Sequence, residues 1–192
     1  DEASFSGRIG EAGRVVCKND ALKYRMSKKS RKNHENNEIY IHDLDSYSSG
    51  MHNCLSIPFD DLLANGFKTK QTDVRPASSV NTAFQLVAVI MQLQSLQQFG
   101  GVAATHLDWT MVPYVRKSFW KHFKDGMKYL AKMDEPYLEC DPKIMSITDP
   151  LYASDPMIFN YALDMTKKEI HQAVEGMYHN LNTLQSRSGG QL

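Results

Sequence analysis

The sequence predicts a mainly α-helical chain with a few short strands, which as a fragment falls in the α+β class. Three long stretches, near residues 79–98, 108–133 and 156–185, combine helical spacing of apolar residues with start and stop signals at their ends. Only two segments, 39–42 and 51–58, have the short apolar or alternating pattern of a strand. We therefore expect helices to form most of the core.

Residues 1–38 are predicted to be a helical or irregular lead-in, and residues 39–192 a larger, partial domain that contains the long helices. Three glycines lower the helix propensity of residues 1–13, so we expect that segment to be irregular. A run of lysines and arginines lies between Arg25 and Lys32. It is interpreted as a solvated helix end, with a phosphate-binding patch as the alternative.

The next part of the chain alternates between strand and turn patterns. Residues 39–42 alternate apolar and polar side chains and predict a strand, and the polar residues 43–50 predict a turn. Residues 51–58 predict a second, buried strand that is stopped by its final proline. Residues 60–65 suit a short helix, which Gly66 ends because glycine accepts the positive φ common after a helix.

The first long helix, near 79–98, contains no proline and has Ser78 or Ser79 as its N-cap. Its middle, Phe84–Leu93, is apolar on nearly every side. A helix of this kind needs cover from two directions, so we expect its own domain and a partner subunit to pack against it.

The other two long helices show their boundaries clearly. The helix near 108–133 contains Pro113, which is tolerated only close to its start. The helix near 156–185 is expected to begin at Pro156, because proline suits the first helical turn. Ser154 or Asp155 is expected to cap it.

Composition excludes several classes of protein. The 192 residues carry 22 basic and 22 acidic side chains, so no net field favours binding nucleic acid through its phosphates. No apolar run approaches the roughly 20 residues of a membrane-spanning helix. The first residues lack the pattern of a signal peptide, and we expect a cytoplasmic protein. Three widely spaced cysteines predict neither a zinc motif nor a disulfide framework.

The densest group of chemically reactive side chains lies within fifteen positions: Tyr40, His42, Asp43, Asp45, His52, Asn53 and Cys54. His42 and Cys54 have the chemistry of metal ligands, but a metal site needs further ligands at closer spacing, and none is predicted. Cys54 is either a reactive thiol or a small buried hydrophobic residue, and its apolar neighbours favour the second interpretation. Strand geometry would put His52 on the same face as Cys54.

Two polar stripes follow the long helices. Asn81, Gln85 and Gln92 recur at spacings of four and seven residues, where they face solvent, pair across a dimer interface or read the edge of a nucleotide base. Three lysines form a stripe on the next helix that is interpreted as solvated, with a phosphate site as the alternative: Lys117, Lys121 and Lys124.

Five segments in register resemble the anaerobic, glycyl-radical class of ribonucleoside-triphosphate reductases. The segments are Tyr40-Ile41-His42-Asp43-Leu44-Asp45, Asn53-Cys54-Leu55, Arg75-Pro76-Ala77-Ser78 with Thr82-Ala83, Gln98-Phe99-Gly100-Gly101, and Pro113-Tyr114-Val115-Arg116-Lys117-Ser118. The resemblance covers about residues 30–192, and residues 182–189 look like its continuation. It implies the opening strands and dimer-interface helices of a ten-stranded α/β barrel, cut in mid-domain near Leu192.

The same resemblance implies roles for individual residues. Cys54 matches a catalytic cysteine that faces the ribose of the substrate and takes part in reducing its 2′ carbon, which reverses the structural interpretation of this residue. Asn53 and His52 are the implied substrate-binding neighbours. The matching positions for a deoxynucleoside triphosphate effector are Tyr40, His42, Arg75 and Lys121, and the polar stripe adds Asn81 and Gln85 as candidates for reading the base.

The resemblance also implies partners. We expect a homodimer that takes a ribonucleoside triphosphate substrate, a dNTP effector and a radical-SAM activating enzyme, with no membrane and no direct nucleic-acid contact. No cofactor is expected in this fragment, because the glycyl radical and the structural zinc belong to the C-terminal part of the family's longer chain. The fragment alone is therefore expected to be inactive. The alternative is a helical dimerisation or scaffold module without catalysis.

Overall fold

The computed structural model describes residues 5–50, 54–69, 73–98, 100–133 and 146–183. The helices are α1 Phe5–Asp20, α2 Lys28–Glu35, α3 Leu44–Tyr47, α4 Phe59–Asn65, α5 Val80–Ser95, α6 Leu107–Tyr129 and α7 Pro156–Thr183, with a π-helical turn at Ala21–Arg25 and a 3₁₀ turn at Tyr152–Ser154. The strands are β1 Leu55–Ser56, β2 Phe67–Lys68, β3 Asp73–Val74 and β4 Val102–Ala103. The prediction of a mainly α-helical chain with a few short strands is confirmed.

The chain folds into two compact units. Within the described residues, the first unit contains the chain up to Ile57, the segment from Ile90 to Ala103 and the end of α7 from Leu181. The second unit contains the intervening segments Pro58–Val89 and Ala104–Asn180. The predicted boundary after residue 38 stays a prediction.

In the first unit, α1 packs against α3. The Ser48 hydroxyl donates to the Cys17 carbonyl at 3.0 Å, and the Arg14 guanidinium lies 3.6 Å from the buried Asp45 carboxylate. The prediction that residues 1–13 are irregular is wrong from Phe5 onward. Each glycine costs a helix about 1 kcal/mol relative to alanine, a weak preference that tertiary contacts such as these can override.

The predicted strand at residues 39–42 is also wrong, because this segment caps the end of α2. The Ile39 N–H donates to the Asn33 carbonyl at 3.3 Å, and the Ile41 N–H donates to His34 Nδ1, also at 3.3 Å. The alternating side chains that suggested a strand, Ile39 and Tyr40, are exposed rather than packed on a sheet. The turn predicted directly after this segment contains the four-residue helix α3.

The second predicted strand, 51–58, is only partly described. Its described part contains β1, which is two residues long and pairs in parallel with β4, Leu55 opposite Val102 and Ser56 opposite Ala103. In the other unit β2 and β3 form a short antiparallel pair. Gly66 separates α4 from β2 with a φ of 71°, as predicted, and its N–H donates to the Leu62 carbonyl at 3.0 Å.

Two of the three long helices, α5 and α7, begin at the predicted caps. The Ser79 hydroxyl caps α5 by accepting the Thr82 N–H at 3.2 Å. The Asp155 carboxylate caps α7 by accepting the Met157 N–H at 2.9 Å. Within the described residues no helix is both long and apolar enough to cross a membrane.

An aromatic core joins α6 to α7 in the second unit. Its buried members are Phe119, Trp120, Phe123, Met127, Tyr152, Ile158 and Ala162. The Phe119 and Tyr152 rings meet edge to face, with centroids 4.9 Å apart. Gly126 lets the helices approach, since a Cβ there would lie 3.0 Å from both Ile158 Cγ2 and Tyr161 Cδ1.

A buried polar cluster ties the start of α5 to α6 and α7. The Ser118 hydroxyl, 1% exposed, accepts the Val80 N–H at 3.0 Å and donates to Glu169 Oε1 at 3.1 Å. The other oxygen of Glu169 lies 2.7 Å from His122 Nε2. One hydroxyl therefore satisfies a backbone donor at a helix N-terminus and a carboxylate acceptor at once.

Replacing Ser118 with alanine is expected to lower the free energy of unfolding by about 1–3 kcal/mol, because the buried Val80 N–H loses its acceptor. Urea unfolding followed by circular dichroism measures the change. Ser78→Ala is the matched control, since Ser78 is exposed and is expected to change stability by less than about 0.5 kcal/mol. Equal stability of the two variants would contradict the role given to the Ser118 hydroxyl.

Candidate functional site

Cys54 lies immediately before β1, where the parallel strand pair fixes the backbone. The Leu55 N–H donates to the Gly101 carbonyl at 3.1 Å, and the Ile57 N–H donates to the Ala103 carbonyl at 2.9 Å. These bonds hold the chain on both sides of β1 against β4. The residue before the strand is thereby placed on a backbone with a fixed direction.

The Cys54 side chain is exposed, so the interpretation of it as a small buried hydrophobic residue is wrong. The apolar neighbours Leu55 and Ile57 are half-buried and buried, while the thiol is presented at the surface of this unit. The Gly101 N–H donates to Cys54 Sγ at 3.4 Å. An accessible thiol beside a backbone donor is open to reagents in solution, unlike the side chain of a core residue.

A glutamine amide lies behind this strand pair. Gln98, 6% exposed, donates from Nε2 to the carbonyls of Gly100 and Gly101 at 2.7 and 2.6 Å. The side-chain amide of Gln94 donates to Gln98 Oε1 at 3.0 Å. In the sequence, Gln98 stands out only as part of a segment that resembles the family. The signal for its contact is an amide side chain close to a Gly-Gly pair.

The two predicted substrate-binding residues, His52 and Asn53, lie outside the described residues. The predicted shared face of His52 and Cys54 is therefore not described either. Within the described part of the chain, no group of three or more His, Cys, Asp or Glu side chains is arranged to hold a metal ion.

Tyr40 and His42 lie close together in the first unit. Tyr40 is 81% exposed, and its ring centroid lies 6.1 Å from that of His34 and 6.3 Å from that of His42. His42 Nδ1 is 2.7 Å from the Asp43 carboxylate. This is a small, solvent-facing aromatic group with two imidazoles beside a phenol.

The other predicted effector residues lie in the second unit, and all of them are exposed. Arg75 follows β3, Asn81 and Gln85 lie one turn apart on one face of α5, and Lys121 lies on α6. On α5 the same face continues with the exposed apolar side chains Val89 and Leu93.

The lysine stripe on α6 divides into two kinds of side chain. Lys117 Nζ donates to the Ala77 carbonyl at 2.9 Å and lies 5.2 Å from the centre of the Tyr114 ring. Lys124 Nζ lies 6.0 Å from the centre of the Trp120 ring. Lys121 is the exposed member.

A cavity of about 750 Å³ opens between α4 and α6 in the second unit. Lys117 of the lysine stripe lines it, but none of the residues predicted to bind substrate or effector does. The exposed Trp109 is on its wall, and Thr110 Oγ1 donates to the Asp60 carboxylate at 2.5 Å. Burial, and secondly the Asp60 charge, raises the pKa of Tyr114 in the same wall. The cavity is thus lined by both polar and aromatic side chains.

Comparison with known proteins identifies the family. The family model of the anaerobic ribonucleoside-triphosphate reductase matches residues 2–192. The reductase of that name from Enterobacteria phage T4 is 28% identical over 160 residues, which are 82% of this chain and 22% of the relative. The reductases of the same name from Salmonella typhimurium and Escherichia coli are 27% and 26% identical over 177 residues, 91% of this chain and 21% of each relative.

The chain thus spans about a fifth of the length of the curated relatives it matches. The family match nonetheless extends over nearly all of its own residues, the thiol before β1 and the long helices included. This protein therefore belongs to the anaerobic ribonucleoside-triphosphate reductase family.

Proposed function

We propose that this chain is part of an enzyme that reduces ribonucleoside triphosphates to deoxyribonucleoside triphosphates, with Cys54 as one of its active-site cysteines. The observation that carries the proposal is an exposed thiol held at the start of a strand, within a chain that matches the reductase family over residues 2–192. The exposed position supports chemistry at this sulfur, since a structural cysteine is commonly buried.

The proposed role of Cys54 follows from what reduction at the 2′ carbon requires. In this radical chemistry, the radical residues of the longer family chain would abstract the 3′ hydrogen of the substrate ribose. The 2′ hydroxyl then leaves as water, and a hydrogen donor must stand within reach of the 2′ carbon. A thiol whose backbone is fixed by a parallel strand pair can supply that hydrogen atom. The S–H bond breaks as the 2′ C–H bond forms, and the enzyme's reductant, formate or a protein dithiol, returns the sulfur radical to the reduced state. His52 and Asn53 are proposed to contact the same substrate.

A second part of the proposal is an effector site for a deoxynucleoside triphosphate in a homodimer. His42, Arg75 and Lys121 are proposed to hold the phosphates, because exposed N–H donors bind phosphate oxygens, with charge-assisted bonds from Arg75 and Lys121. Three further side chains are proposed to contact the base: Tyr40, Asn81 and Gln85. The exposed apolar residues Val89 and Leu93 support a subunit contact along α5.

The proposal extends to location and activation. We place the enzyme in the cytoplasm, and we expect its radical-SAM activating enzyme to act on the full-length chain. The glycyl radical and the structural zinc are assigned to the part of the family's chain that this sequence does not include. Accordingly, the 192 residues alone are expected to give no deoxynucleotide product.

Nucleotide-dependent stability separates this proposal from a helical scaffold without chemistry. A ligand that binds only the folded state raises the midpoint of thermal unfolding as its concentration rises. We expect dATP, dGTP or dTTP to raise the melting temperature of the chain, measured by differential scanning fluorimetry. An unchanged midpoint with all three at millimolar concentration would favour the scaffold.

Lys121→Ala is expected to weaken effector binding by about tenfold or more, because one charge-assisted contact to the triphosphate is lost. Isothermal titration calorimetry at low and high salt measures the effect, which should diminish as salt screens the interaction. Lys128→Ala is the matched control, since Lys128 is exposed on the same helix two turns later. If Lys121→Ala binds all three nucleotides as tightly as the parent, Lys121 is not part of the effector site.

A further inference from the structure

We infer that Gln98 is a positioning residue for the Cys54 thiol. Gln98 does not touch Cys54 itself. Its side-chain amide binds the backbone of the Gly100-Gly101 segment, and the Gly101 N–H is the group that donates to Cys54 Sγ. The functional value of this arrangement rests on the proposed role of Cys54.

The orientation of the Gln98 amide is fixed by its partners. Both atoms facing Nε2 are backbone carbonyl oxygens, which only accept hydrogen bonds, so the NH₂ group must point toward them. The opposite oxygen accepts from the Gln94 amide at 3.0 Å. With two donated bonds and one accepted bond, this nearly buried side chain has little freedom to turn.

The backbone of Gly101 connects Gln98 to the thiol. The Gly101 carbonyl accepts from both the Leu55 N–H at 3.1 Å and Gln98 Nε2 at 2.6 Å. The Gly101 N–H, at the other side of the same residue, points to Cys54 Sγ at 3.4 Å. Glycine has no side chain that would hold this backbone in place, and the Gln98 amide adds a restraint to the one that the Leu55 N–H supplies.

The Gly101 N–H thus holds the Cys54 sulfur, and the buried Gln98 amide sets the direction of that N–H. Reactions that depend on a hydrogen atom at one carbon are sensitive to misplacement of the donor by about 1 Å. A side chain that fixes the Gly101 N–H therefore contributes to the geometry of the thiol without contacting substrate.

The test is the alkylation rate of Cys54 in Gln98→Met, which keeps the length of the side chain and removes its donors. Iodoacetamide labelling near neutral pH, followed by mass spectrometry of the Cys54 and Cys17 peptides, gives both rates from one sample. We expect Cys54 to react about two- to tenfold more slowly, because a thiolate is stabilised by N–H donors and this donor is no longer held in place. Cys17, half-buried in α1, should react at the parental rate.

The controls separate positioning from loosening of the fold. A loosened fold would make the half-buried Cys17 react faster, whereas loss of positioning changes the Cys54 rate alone. Gln97→Met changes the exposed neighbouring glutamine and should leave both rates unchanged. Gln94→Met removes only the donor to Gln98 Oε1 and should slow Cys54 by about twofold, so it decides the question if Gln98→Met fails to fold.

This inference is overturned if the alkylation rate of Cys54 is unchanged or increased in the folded Gln98→Met variant. If Gln98→Met does not fold, the same result in Gln94→Met overturns it. The result does not depend on turnover. If Cys54 proves dispensable for ribonucleotide reduction, the proposed function fails while the alkylation result keeps its meaning.

Discussion

In the full-length reductase, Cys54→Ser is expected to abolish formation of deoxynucleotides while leaving the fold intact. Serine is nearly isosteric with cysteine, and its hydroxyl can still accept a hydrogen bond from the Gly101 N–H. An O–H group, however, does not replace a thiol as a hydrogen-atom donor and forms no disulfide. The measurement is anaerobic turnover of the activated enzyme, with product separated by chromatography.

Cys17→Ser is the matched control for this variant. Cys17 is the other cysteine in the described part of the chain, and it lies on α1, where its backbone carbonyl accepts from the Ser48 hydroxyl. The control is expected to keep parental turnover. If Cys54→Ser retains activity under the same activation, Cys54 has no catalytic part.

The largest effect on stability is expected from Phe119→Ala, which should lower the free energy of unfolding by about 3–5 kcal/mol. Phe119 is 1% exposed, and its ring contacts Phe123, Tyr152 and Phe159 with centroid distances of 6.4, 4.9 and 5.6 Å. Alanine would leave a cavity among rings that α6 and α7 hold in place, so the site can collapse only in part. Urea unfolding gives the difference from the parent chain.

Trp109→Ala provides the comparison on the same helix. Trp109 is a larger aromatic residue, but it is mostly exposed and lies outside the aromatic core. Its loss is expected to change stability by less than about 1 kcal/mol. Similar losses for Phe119→Ala and Trp109→Ala would contradict the assignment of the core to the α6–α7 contact.

The long helices could be predicted because their signals are local. Ser79 and Asp155 cap α5 and α7 through bonds to residues two or three positions later, and each is one of the two residues predicted for its cap. Gly66 ends the short helix α4 with a positive φ, as predicted. Helix α1 could not be predicted in the same way. Its glycines argue against a helix, and the packing on α3 that overrides them joins residues far apart in the sequence.

The segment at 39–42 shows the limit of alternating patterns. Ile39 and Tyr40 have the pattern of a strand. The sequence does not show that the Ile41 N–H donates to the His34 ring rather than to a neighbouring strand. Hydrogen bonds to a side chain seven residues away depend on how α2 ends, which is a three-dimensional property.

The sequence proposes which residue to test, but it does not predict the environment of that residue's side chain. Cys54 was singled out by resemblance, whereas its apolar neighbours alone suggested burial. Exposure of one side chain before a two-residue strand depends on how the Gly101 segment passes it, and that segment lies 47 residues away in the chain. The bonds of Gln98 to Gly100 and Gly101 are likewise not predictable from the sequence, because they depend on how this segment folds.

The central claim is that Cys54 stands at the 2′ carbon of a ribonucleoside triphosphate, and a structure of the full-length reductase with bound substrate tests it most directly. The quantity to measure is the distance between Cys54 Sγ and the 2′ carbon. We expect about 3–4 Å, within reach of hydrogen transfer. A well-ordered ribose bound with its 2′ carbon more than about 8 Å from this sulfur, well beyond that reach, would contradict the claim.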